Sequence, residues 1–214
     1  MFQLKYSIMK KIFKFSVLFF LFSLSVQAQQ EKIEAISQYF NPNFKKSILL
    51  TYYYKDINDY FTPFIGKWIY QNGSQTFVVQ FTKQEKVLYQ SSGNSKYFMD
   101  ELIGHYKLVQ NYGATNEQII YTSQINAGNS ITPWVTIIFG APLQQYLLDG
   151  TIYDVNTPYT DDNPLGLKGI LKMSISPSNT NSAQWNITLP SGLHNSANTG
   201  IFTIPTNVTL TKVN

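Results

Sequence analysis

Side chains able to do acid–base or metal chemistry are few in this 214-residue chain. The acidic ones fall in short pairs, Asp56/Asp59, Asp100/Glu101 and Asp161/Asp162. Two carboxylates flanking one bond can serve as acid and base in glycoside cleavage. The run Asp154-Val155-Asn156, followed by Asp161-Asp162-Asn163, offers the hard oxygen ligands that calcium takes, at a spacing unlike the EF-hand loop. Asp154, Asp161 and Asp162 are therefore the calcium candidates. Asp and Asn also close turns through their own side chains, and that reading is preferred at each of these positions, so no metal is expected. The only histidines are His105 and His194, one on a predicted strand face and one in a predicted loop. No G-x-S-x-G elbow frames a serine nucleophile, and there is no cysteine to act as a thiol or a zinc ligand. No residue is assigned a catalytic role, and no cofactor is implied.

The remaining chemistry is aromatic. Rings combined with amide side chains suit stacking on sugars or lining an apolar pocket. Trp68, Tyr106 and Trp134 are the ligand-binding candidates on that basis. Large rings are equally what a disulfide-free β core requires.

The elements that must position these residues are almost all strands. Residues 77, 79 and 81 (Phe, Val, Phe) alternate with Thr76, Gln80 and Thr82, and Leu167, Gly169, Leu171, Met173 and Ile175 alternate with Lys168, Lys172 and Ser174. The same period of two returns over 64–71, 99–110, 118–123, 134–139, 184–189 and 201–211. One face buried and one wet marks antiparallel sheet. Asn72-Gly73 and Asp149-Gly150 suit the positive φ of tight hairpin turns. The pattern predicts an all-β, antiparallel barrel or sandwich of about 8–10 strands. Ile33, Ile36 and Phe40 fall at helical spacing, predicting one short N-terminal helix over 31–40. A seven-residue echo stands out: Phe64-Ile65-Gly66-Lys67-Trp68-Ile69-Tyr70 against Leu102-Ile103-Gly104-His105-Tyr106-Lys107-Leu108. Each aromatic is expected to pack over its own glycine.

Ahead of the sheet, Lys10, Lys11 and Lys14 precede an apolar run over 15–26 and the small-x-small site Val26-Gln27-Ala28. That is the layout of a secretory signal peptide, predicting export to the periplasm, cell surface or medium. The organisation read from the chain is a signal peptide at 1–28, a helix and lead-in at 29–63, and the β domain at 64–214. Removing 1–28 takes four of the 16 lysines and none of the 12 acidic residues, so the remainder is formally neutral (12 − 12), with no arginine anywhere. A nucleic-acid partner needs a basic footprint, and none remains. Nothing after the leader approaches the roughly 20 apolar residues that span a bilayer.

Two resemblances add to this. Gly66-Lys67-Trp68 early in the first clear strand, followed by an antiparallel meander, resembles the G-x-W of lipocalins and the wider calycin barrels. That resemblance implies a barrel holding a small apolar ligand, with an arginine packed over the tryptophan. The chain is also similar to a family of short secreted Bacteroidota proteins of unknown function. They carry a Met-Lys-Lys leader, K-D-I-N-x-Y (here Lys55 to Tyr60), F-[IV]-G-x-W (Phe64 to Trp68) and D-x-L-I-G-x-Y (Asp100 to Tyr106). The function expected is non-catalytic binding of a small apolar or saccharide-like ligand. The alternatives are a protein-interaction surface without a pocket and, third, a hydrolase.

Overall fold

The computed structural model describes residues 31–90, 96–124, 138–157, 165–190 and 202–213. The 1–28 leader, Trp134, Asp161, Asp162 and His194 lie outside the described residues. Among the described residues eleven strands join one sheet: β1 Glu31–Ala35, β2 Thr51–Lys55, β3 Gly66–Asn72, β4 Gln75–Gln90, β5 Lys96–Gln110 and β6 Gln118–Thr122, then β7 Ile138–Gln144, β8 Leu147–Asp154, β9 Leu167–Ser176, β10 Asn179–Thr188 and β11 Asn207–Val213. Eight of them close on themselves in the order β3-β4-β5-β7-β8-β9-β10-β11, every neighbour antiparallel and β11 returning to β3. The molecule is therefore a barrel and not a sandwich.

The alternation predicted from the sequence is what fills it. Phe77, Val79 and Phe81 on β4, Leu171, Met173 and Ile175 on β9, and Ala183, Trp185 and Ile187 on β10 are all buried. Trp185 meets Phe77 at 6.0 Å and Phe81 at 6.5 Å between ring centroids, so β10 and β4 touch across the interior. An eight-stranded barrel is just wide enough for its own side chains, and here large rings occupy it.

The echo has a structural meaning. Gly66 and Gly104 both pair with Phe81, and Trp68 and Tyr106 both pair with Val79, so the two copies flank β4 at the same register. The ring over Gly104 is Phe81, which an added Cβ would meet at 2.9 Å. The expected packing of Tyr106 on its own glycine is thus replaced by packing from the neighbouring strand.

Two expectations are corrected. The segment 31–40 is not an α-helix: β1 takes Glu31–Ala35, and only Ile36–Gln38 turns, as a single 3-10 turn. β1 pairs in parallel with β2, and β2 in parallel with the first residues of β5, so a small sheet extends beyond the barrel wall. The apolar spacing that suits a helix is overridden by pairing with a strand twenty residues on. Asp149-Gly150 is not a hairpin turn either, because β8 runs straight through it and the chain reverses at Gln145-Tyr146, with Tyr146 at φ +68°. Gly150 instead lies opposite Gly140, where a Cβ would come within 2.1 Å of the Phe139 carbonyl oxygen. Asn72-Gly73 behaves as predicted, with Gly73 at φ +60° in the β3–β4 turn.

Candidate functional site

One end of the barrel keeps a cavity of about 370 Å³. Tyr70 and Asn72 from the end of β3, Gln75 and Phe77 from the start of β4, and Leu108 on β5 form one side. The lead-in to β11, Thr203 to Thr206, with Asn207 and Val208, forms the other. The hairpin at Gly73 brings ring and amide side chains together by alternation, so Tyr70 and Phe77 pair directly across it. Phe77 is buried as the floor, with Tyr106 at 5.4 Å behind it.

The β11 lead-in is fixed from beneath. Asp154, fully buried, accepts the Thr203 and Ile204 amides, and accepts the Thr203 hydroxyl at 2.8 Å. Trp185 Nε1 donates to the Pro205 carbonyl at 2.9 Å, and the Ile187 amide donates to the Thr206 carbonyl at 2.7 Å. The cavity wall is therefore held in place by buried groups.

Of the sequence-predicted ligand residues, the two described, Trp68 and Tyr106, sit in the core. Trp68 is fully buried, its Nε1 donating to the Phe64 carbonyl at 2.9 Å. Lys212 on β11 places its ammonium 5.3 Å from the Trp68 ring centroid and donates to the Pro63 carbonyl at 2.8 Å. A lysine thus takes the place that the lipocalin resemblance gives to an arginine. Tyr106 is also in the core, donating its hydroxyl proton to the Tyr153 carbonyl and accepting the Val155 amide, each at 2.9 Å. Burial pushes that phenol far above its ordinary pKa. Neither residue lines the cavity, although Tyr106 supports its floor.

Of the calcium candidates, Asp154 is the described one. Its carboxylate is taken up by donors from Thr203, Ile204 and, at 3.2 Å, the Asn156 amide. Among the described residues no three His, Asp or Glu side chains gather as a metal site. His105 lies with Nδ1 3.2 Å from the Ser123 hydroxyl, and burial holds its imidazole below the ordinary value. Ser123 is fully buried and its oxygen already accepts the Tyr106 amide at 2.8 Å, so it is closed to a substrate carbonyl.

Asp56 and Asp100, read in sequence as members of separate pairs, meet. Asp100 accepts the Tyr53 hydroxyl at 2.6 Å and the Asp56 and Lys86 amides at 3.0 Å each. Asp56 accepts the amides of Tyr60 and Phe61 at 2.8 and 3.2 Å. Lys83 Nζ stands 3.5 Å from an oxygen of each carboxylate. Burial works against the Asp100 charge, but the Tyr53, Asp56 and Lys86 hydrogen bonds and the Lys83 ammonium outweigh it and hold the carboxyl below the usual range. With these oxygens engaged by backbone amides, the cluster is a clip on the chain. It fastens β2 and the segment after it to the β4 bulge between Gln84 and Val87.

Fold and site together define a closed eight-stranded antiparallel barrel, filled inside, with an aromatic- and amide-lined cavity at one mouth. The chain belongs to a family of unknown function, DUF6705, whose pattern matches residues 9–213. No curated protein and no solved structure matches it. Among the described residues no helix is long and apolar enough to cross a membrane.

Proposed function

We propose that the chain is an exported, non-catalytic binding protein that takes a small saccharide-like ligand at the barrel mouth. The observation that carries this reading is the cavity's lining: ring faces from Tyr70 and Phe77 beside the side chains of Asn72, Gln75 and Asn207. A sugar presents apolar C–H faces edged by hydroxyls, and rings with amides complement both. The volume of about 370 Å³ lies in the lower part of the roughly 300–1,000 Å³ range of small-molecule sites. The filled interior argues against a ligand held deep in the barrel, as in lipocalins. Export is supported by the basic-then-apolar leader, which falls within the stretch matched to the family.

Native mass spectrometry of protein recovered from the medium or periplasm tests both parts. A mass beginning after Ala28 with a co-purifying saccharide, lost in Tyr70→Ala, is the expected result. Full-length protein confined to the cytoplasm removes the export reading. Failure of mono- and oligosaccharides to bind, in titrations of the purified chain, removes the ligand reading.

A further inference from the structure

A second aromatic assembly lies outside the barrel, on the small sheet of β1, β2 and the far end of the β4–β5 hairpin. Tyr39 follows the 3-10 turn, Tyr54 is on β2 and Tyr97 on β5. Their ring centroids are 5.3 Å (Tyr39–Tyr54), 5.3 Å (Tyr39–Tyr97) and 5.9 Å (Tyr54–Tyr97) apart. The ammonium of Lys46 stands 4.8, 5.2 and 5.8 Å from the centroids of Tyr39, Tyr54 and Tyr97. Three rings converging on one cation are more than a chance contact supplies. Elsewhere among the described residues, Lys86 meets two rings and Lys83, Lys107 and Lys212 one each.

The walls are fixed and the occupant is not. Tyr39 and Tyr97 share a hydrogen bond between hydroxyls at 3.0 Å. Tyr89 stacks on Tyr97 at 5.2 Å and 6°, and donates its own proton to Glu101. Tyr52 stacks on Tyr54 at 5.8 Å and 12°. Lys46, by contrast, is exposed, sits in the irregular segment 41–50, and joins no ion pair among the described residues. On either side of it, Phe44 packs edge-on to Tyr52 at 5.7 Å and the Ser47 amide donates to the Tyr52 hydroxyl at 2.8 Å. The lysine side chain can therefore swing away while the segment stays docked.

We propose that Tyr39, Tyr54 and Tyr97 form a binding site for an alkylated ammonium group, filled in this structure by Lys46 as an internal stand-in. Ring faces attract cations through their quadrupole, and methylated ammonium is the form such aromatic cages recognise. A lysine ammonium is compact and strongly hydrated, so it gives up more water on entering than a methylated one does. Two of the rings are held neutral by burial, which raises the Tyr54 phenol to about 12 and pushes that of Tyr97 up as well. Tyr54 also keeps a buried hydroxyl without a hydrogen-bond partner.

The group could come from a free choline-like molecule or from a phosphocholine headgroup. The test titrates the purified chain with tetramethylammonium chloride against matched potassium chloride, read by NMR of the tyrosine rings. Saturable shifts with tetramethylammonium alone are expected, about two- to five-fold tighter in Lys46→Ala because the stand-in is gone. Tyr97→Leu and Tyr39→Leu should each abolish them, the second serving if the first does not fold. No saturable binding by Lys46→Ala, or binding unchanged in a folded tyrosine variant, overturns the proposal. Co-sedimentation with phosphatidylcholine vesicles but not phosphatidylglycerol ones assigns the headgroup, and binding of choline without co-sedimentation assigns the free molecule.

Discussion

The barrel and the small sheet beside it are built on opposite terms. In the barrel, strands run antiparallel, one face is apolar, and rings such as Trp185 meet their partners across a filled interior. In the extension, β1 and β2 pair in parallel, Thr51 to Tyr54 are buried on both faces, and the anchor is polar, with Asp56, Asp100 and Lys83 clipping backbone to side chain. The first region is specified by a pattern that strands such as β9 and β10 carry on their own. The second depends on a few residues far apart in sequence. Such regions open separately when their anchors differ, and hydrogen exchange reads that difference directly.

The largest effect is expected in the barrel. Trp185→Ala removes a fully buried ring and its bond to the Pro205 carbonyl, and should cost about 3–5 kcal/mol in denaturant unfolding. Its exchange should quicken across all eight barrel strands together, and quickening confined to β10 and β11 would break the comparison. Next comes Asp100→Asn, with a loss of about 2–3 kcal/mol because charged hydrogen bonds become neutral ones. That loss should show as faster exchange in β1 and β2 while β9 and β10 keep their protection.

Acidification should act on the same clip. Asp100 is held below the ordinary carboxylate value in the fold, so its contribution is fully present above the unfolded value of about 3.9 and disappears as pH falls through the lower folded one. Protection of β2 should fall in that window, and Asp100→Asn should flatten the dependence. The smallest effect is expected at Tyr54→Phe. It removes a buried hydroxyl without a partner and should be neutral or stabilising by up to about 1 kcal/mol in thermal melts.

The barrel was legible because alternation survives in single strands, as in Leu171, Met173 and Ile175. β2 was not, because Thr51-Tyr52-Tyr53-Tyr54 is buried on both faces and carries no period. Ile33, Ile36 and Phe40 fit a helix, and only pairing with β2 decides otherwise. Asp149-Gly150 was misread because a glycine that permits close backbone approach looks, in sequence, like one that permits a turn. Trp68 and Tyr106 were read as pocket residues, yet rings near the middle of strands in a narrow barrel fill its interior. The cavity's own rings, Tyr70 and Phe77, had a usable signal in their place beside Asn72-Gly73, but the opposite wall comes from residues 203–208. Asp56 and Asp100 stand 44 positions apart, and nothing in the sequence hints that they meet.

The Lys212 bond to the Pro63 carbonyl joins positions 149 apart. It lies at the β3–β11 seam, so the barrel wall stays open during synthesis until β11 has been made. The cavity wall at 203–208 is made together with that strand. Closure of the wall and completion of the mouth therefore come together, and a chain lacking residues 203–213 would have most of its strands but neither a finished wall nor a mouth.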